Sequence, residues 1–128
     1  MANLKVTIKM ESTELFPSPV NQTSVHNLIV NGTFIGFTKL QLDTTPTKIN
    51  QGAINGPSLS AYLYVMAPLT NLQTVFIKKG TDLEPFIKLL PGDFAFIPYG
   101  AQTSVEDLSA YTAGAGAASI HYFIAEKD

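Results

Sequence analysis

The feature that most constrains this chain is its punctuation. Pro, Gly, Asn and Asp cluster at intervals of about ten residues, and short runs rich in Val, Ile, Thr, Phe and Tyr lie between them. Within many of these runs the apolar residues recur at every second position. That is the period of a strand with one buried face. The only helical candidate, Ser104 to Leu108, is too short to organise a fold.

Residues 4–10 set the pattern, with Leu4, Val6, Ile8 and Met10 on one face and Lys5, Thr7 and Lys9 on the other. Leu59 to Ala67 opposes Leu59, Ala61, Leu63 and Val65 to Ser60, Tyr62, Tyr64 and Met66. Both of its faces are apolar, which suits a central strand with a packed aromatic side. Ser119 to Ala125 opposes Ile120, Tyr122 and Ile124 to His121 and Phe123. Further runs lie at 25–30, 33–42, 48–54, 72–78, 86–90, 94–97 and 108–113, with Pro98-Tyr99-Gly100 expected to break the strand before it.

The sharpest local signal is Val30-Asn31-Gly32-Thr33. Asn and Gly tolerate the positive φ that a two-residue hairpin loop requires, so 25–30 and 33–42 are expected to pair across it. The stretch from 11 to 24 carries Pro17 and Pro19, which donate no backbone hydrogen bond, and is read as a loop or extended arm. The expectation is an all-β chain of about nine short strands, forming an antiparallel β-sandwich, jelly-roll-like or a related barrel. At 128 residues it is read as a single sandwich domain spanning 1–128.

Composition narrows the chemistry. The chain has no Cys, which removes disulfides, thiol nucleophiles and every cysteine metal site. It has eight Lys and no Arg, its formal charge is −2, and its lysines form no run longer than a pair. Nucleic-acid binders concentrate positive charge on one surface, so no nucleic-acid partner is expected. No apolar stretch is long enough to span a bilayer as a helix, and the start of the chain lacks a basic region followed by an apolar one. No membrane partner and no signal peptide are expected. Charged residues make up 14% of the chain against a norm of about 25%, which suits a surface partly covered by neighbours.

Motifs for catalysis are missing. His26 and His121 are isolated and lack the spacing of a metal pair. No Ser sits in a nucleophile elbow. The acid pairs Glu11/Glu14, Asp82/Glu84 and Glu106/Asp107 lie in loops and turns, where solvated carboxylates are the norm. Gly114-Ala115-Gly116 lacks the Lys and helix of a phosphate cradle. No enzyme, metal or cofactor is therefore expected. Phe34, Phe37, Phe76, Phe94, Phe96 and Phe123 are assigned to the core, and Tyr62 and Tyr64 to packing between sheets, with a sugar-stacking platform as their alternative role.

Two resemblances add to this. Leu90-Pro91-Gly92-Asp93, a short strand, and Pro98-Tyr99-Gly100 resemble the second cupin motif, matching it at Gly92, Asp93, Pro98 and Gly100. Thr103 stands where that motif places its metal-binding His, and the first cupin motif is absent. The resemblance implies a metal-free jelly roll binding a small sugar or acid. From Leu59 onward the order of segments is similar to small virion proteins of tailed bacteriophages. Thr74 to Gly80, Phe86 to Asp93, Leu108 to Ala113 and Ile120 to Glu126 carry that likeness.

The second resemblance implies a non-enzymatic capsid decoration (cement) protein or another head or tail accessory protein. Such a protein is made in the host cytoplasm and carried in the virion. Its partners would be other virion subunits, and a homo-oligomer or a larger assembly is expected. A phage tail or receptor module binding carbohydrate is a further alternative. The residues expected to make contacts are Phe16, Pro17, Val20 and Tyr99.

Overall fold

The computed structural model describes residues 2–13, 20–30, 34–49, 60–80, 83–100 and 108–126, the side chains of 2, 34–36, 60, 99 and 100 excepted. It contains ten strands and no helix among these residues. They are β1 (Ala2–Ser12), β2 (Val20–Val30), β3 (Phe34–Leu42), β4 (Thr47–Lys48), β5 (Ser60–Met66), β6 (Val75–Lys79), β7 (Ile87–Leu89), β8 (Phe94–Gly100), β9 (Leu108–Thr112) and β10 (Ala118–Glu126). All the pairings are antiparallel, as the sequence leads one to expect of an all-β sandwich. The chain divides into two compact units, Met1–Val30 and Asn31–Asp128.

The first unit is a two-stranded ribbon. β1 and β2 pair over eleven positions, from Ala2 opposite Val30 to Ser12 opposite Val20. At about 3.4 Å per residue the ribbon is roughly 35 Å long. Alternation puts Leu4, Val6, Ile8 and Met10 on one face, joined there by Leu28 and Val30. Lys5, Thr7 and Lys9 share the other face, where Lys9 forms an exposed ion pair with Glu11 at 2.9 Å. The stretch 11–24, read above as an arm, supplies the outer pairs of this ladder on both strands.

The hairpin expected around Asn31-Gly32 turns on residues 31–33, outside the described ones. Among the described residues β2 pairs with β1, and β3 pairs with β10. β3 pairs with a strand distant in sequence: it meets β10 with Leu40 opposite Ile120, both facing the core.

The second unit is the sandwich. Its two four-stranded sheets have the orders β3-β10-β5-β8 and β4-β9-β6-β7. The pairings β6·β7, β5·β8, β4·β9 and β3·β10 are nested around one another. This unit is thus one long antiparallel hairpin, centred on β6 and β7 and rolled so that successive pairs alternate between the sheets. This is the strand order of a jelly roll.

The core between the sheets is aliphatic. Ala61, Leu63 and Val65 of β5 face it, as do Ile120 and Ile124 of β10. The second sheet contributes Val75, Ile77, Leu89, Leu108 and Ala110, and Ile49 joins them. Among the described residues, Tyr122 is the one aromatic in this cluster. Burying each Leu or Ile stabilises the fold by roughly 1.5–3 kcal/mol.

β8 runs through Pro98 to Gly100 and does not break there as expected. Pro98 is tolerated because β8 is an edge strand, where a missing donor costs no ladder bond.

Turns at one end of the sandwich are tied down by specific bonds. Leu90-Pro91-Gly92-Asp93 closes with Asp93 N–H donating to the Leu90 carbonyl at 2.9 Å. Gly92 has φ +92, the left-handed value that the third position of a type II turn needs, and a Cβ there would lie 2.8 Å from Leu69 Cδ2. Asp93 Oδ2 also accepts the Leu90 N–H at 2.9 Å.

Asn71 is buried between strands and replaces a ladder residue. Its Nδ2 donates to the Ser119 carbonyl at 2.8 Å, and its Oδ1 accepts the Ser119 N–H at 2.9 Å. Asn71→Ala would leave both Ser119 groups buried without partners, at a cost of about 2–4 kcal/mol. Asn71→Asp keeps the acceptor, loses the donor and places a charge in a buried site, so it should rescue little. Urea unfolding of the three proteins checks this. Tyr122 offers an independent check, since burial raises its phenol above the ordinary value of 10.0. The unfolded chain loses that proton first, so this contribution is complete below pH 10 and declines as pH rises past it. Tyr122→Phe should remove that part of the alkaline decline.

Candidate interaction surface

The outward side of the first sheet is where the structure departs most from the expected core. Residues of β5 that alternate with Ala61, Leu63 and Val65 must face away from the second sheet. These are Tyr62, Tyr64 and Met66. Cross-strand register then assembles a single face. Tyr64 stands opposite Phe96 of β8 and Phe123 of β10. Met66 stands opposite Phe94 and His121, and Tyr62 opposite Pro98 and Ala125.

The rings form a connected patch. Phe37 lies 5.6 Å from Phe123 and meets Tyr64 edge-on at 5.8 Å, centroid to centroid. Tyr64 lies 6.3 Å from Phe94, and Tyr62 stacks on Phe96 at 6.1 Å. These separations are those of favourable aromatic pairs. Phe37 is 75% exposed and Phe94 64% exposed, whereas Phe123 is buried. Phe37 reaches this face through an irregularity in β3. The register with β10 shifts between Tyr122 and Ile124, so Gly36 and Phe37 together oppose Phe123.

Phe37, Phe94, Phe96 and Phe123 are therefore not part of the inter-sheet core, and Tyr62 and Tyr64 do not pack between the sheets. Phe76 is likewise outward, on the second sheet, stacked on Tyr111 at 5.6 Å. The Phe34 side chain lies outside the described residues. The physical reason is volume. Small and branched residues at 61, 63, 65, 75, 77 and 110 fill the space between the sheets and leave the rings on the other side.

Charges on this aromatic face are sparse. Lys39 stands at its margin, opposite His121. A face rich in Phe, Tyr and Met and poor in charge has the composition of a protein–protein interface core. Next to it, at the turn end of the sandwich, Leu69 and Leu72 are 82% and 73% exposed. Backbone bonds from Gly92 to Ala67 and from Leu72 to Ala117 hold those turns in place.

The four residues expected to make contacts fare differently. Phe16 and Pro17 lie outside the described residues. Val20 opens β2 of the ribbon, half-buried opposite Ser12. Tyr99 belongs to β8 of the sandwich, opposite Ala61. The outward rings were the residues that pattern reading missed. The available signal was the Ala residues at 61 and 95, whose size marks the side that a close-packed sheet turns inward.

Among the described residues no group of three or more His, Asp or Glu is placed to hold an ion. Thr103 lies outside them. No family model, curated protein or solved structure matches the chain.

The outward assignment predicts a contrast in stability. Phe37→Ser should change the unfolding free energy by less than about 1 kcal/mol, as expected of an exposed position. Leu63→Ala should cost about 2–5 kcal/mol by opening a cavity between the sheets. Equal losses at the two positions, measured by chemical denaturation, would contradict it.

Proposed function

We propose that this chain is a non-enzymatic structural protein working through protein–protein contacts, as a capsid decoration (cement) or other accessory component of a tailed-bacteriophage virion. The observation that carries the contact reading is the aromatic face of Phe37, Tyr64, Phe94 and their neighbours, presented outward on a rigid sheet. Exposed apolar patches of this kind mark association sites on soluble domains. The segment order from Leu59 onward supports the virion assignment, and the jelly-roll order is one that capsid proteins use. The same fold serves lectins and cupins, so the surface and not the fold supports the choice.

Two measurements test it. Mass spectrometry of purified particles should find the chain in many copies, and its absence would defeat the virion assignment. Replacing Phe37 and Phe94 together by Ser should weaken binding to particles lacking the chain by at least about 2 kcal/mol, the scale of an interface hot spot, or roughly thirtyfold. Binding unaffected by the replacement would place the contact elsewhere.

A carbohydrate-binding module is the second reading, favoured by the outward stacked pair of Tyr62 and Phe96. It predicts that a panel of sugars raises the melting temperature of the protein and that Tyr62→Ala abolishes the rise.

A further inference from the structure

We propose that the outer side of the second sheet is a platform for single-stranded nucleic acid, with Phe76 and Tyr111 stacking bases and Lys48, Lys78 and Lys88 meeting phosphates. The platform belongs to the sandwich unit alone and does not depend on the virion assignment. The first observation is a concentration of charge. β4, β6, β7 and β9 together hold Lys48, Lys78, Lys79 and Lys88, half of the chain's eight lysines, and no Asp or Glu. The chain as a whole has a charge of −2. Along the sequence these lysines form no run longer than a pair, so the sequence by itself gives no reason to expect a nucleic-acid partner. Sheet register gathers them.

Alternation decides which side they take. Ile49, Val75, Ile77, Leu89, Leu108 and Ala110 face the core, so Lys48, Phe76, Lys78, Lys88, Ser109 and Tyr111 face away from it. Two rows result. In one, Ser109 stands between Lys48 and Lys78. In the other, Phe76 stands between Lys88 and Tyr111. With strands about 4.8 Å apart and residues about 3.4 Å apart along them, Lys48 and Lys78 are separated by roughly 10 Å at Cα, and Lys78 and Lys88 by roughly 8 Å. Lys48 and Lys88 are exposed, and Lys78 is half-buried.

The second observation is the pair of rings. Phe76 is on β6 and Tyr111 on β9, the two central strands of this sheet. Their centroids are 5.6 Å apart and their planes 28° from parallel. Both are half-buried, so the strands beneath hold them in place. Aromatic rings on the middle of a four-stranded sheet, with cations beside them, are the means by which sheet surfaces hold unpaired bases and their backbone.

The composition of the face selects among polyanions. An acidic polysaccharide also needs placed polar groups, such as side-chain amides or carboxylates, to fix its hydroxyls. Among the described residues, the outward positions of these strands carry neither. Their neutral polar groups are the Tyr111 hydroxyl and Ser109, which is buried. Single strands bound without sequence preference require only rings for the bases and cations for the backbone. A duplex keeps its base faces stacked inside, out of reach of the rings.

Fluorescence anisotropy with a labelled oligothymidylate of about 12 nucleotides, within the span of such sites, tests this on the full chain. Three neutralised phosphates predict that log K falls against log salt with a slope of about −2. Phe76→Leu and Tyr111→Leu keep an apolar side chain on the strand, and each should weaken binding at least about fivefold. Lys48→Gln, Lys78→Gln and Lys88→Gln together should flatten the salt dependence. No binding at low salt overturns the proposal. So does equal binding of a duplex, binding indifferent to both ring replacements, or tighter binding of a polyuronate through the same residues. If the variants fail to fold, ultraviolet crosslinking of the unmodified chain to the oligonucleotide decides. Crosslinks must fall within 75–79 or 108–112, and crosslinks confined to other segments overturn the platform.

Discussion

The two central strands of the first sheet, β5 and β10, are apolar on both faces, and the sandwich depends on which face turns inward. Close packing settles it. The space between two sheets is about 10 Å deep, and Ala61, Leu63, Val65, Ile120 and Ile124 fill it together with Val75, Ile77 and Ala110 from across. Reversing β5 would bring Tyr62 and Tyr64 into that space and leave their hydroxyls to be satisfied there. With the aliphatic side inward, the rings have nowhere to go but outward, and the aromatic surface follows from the core.

The nested pairing explains how so many short strands hold together. β6 and β7 are close in sequence, but each further pair closes a longer loop, ending with β3 against β10. The entropy of closing such loops grows slowly with length, so outer pairs are affordable once inner ones exist. Their long sequence separation implies slow folding compared with local topologies. Turn bonds at Asn71, Gly92 and Asp93 fix the places where the rolled hairpin changes direction.

Much of this was legible in the residues. Alternation in 4–10, 59–67 and 119–125 marked strands now seen as β1, β5 and β10, and Pro91-Gly92 marked a real turn. Pairing was harder, because partners such as β3 and β10 are distant and Asn31-Gly32 offered a nearer alternative. Facing was hardest where both sides of a strand are apolar. Period-two reasoning says that Tyr62 and Leu63 face apart but not which one is inside. Phe16 and Pro17 were chosen for being apolar in a Pro-bearing stretch, a criterion that names no surface. The outward rings emerge only when cross-strand register puts Phe37, Phe123, Tyr64 and Phe94 side by side.

On the proposed reading, the protein works through shape and apolar area. Its sheet presents rings that are fixed by the strands beneath them, so little side-chain freedom remains to be lost on association. The most direct test is hydroxyl-radical footprinting of Phe37, Tyr64 and Phe94 in the free chain and in the assembled particle. The account predicts strong labelling in the free chain and clear protection on assembly, while Phe76 on the other sheet serves as an internal comparison. Equal labelling of the three rings in both states would contradict it.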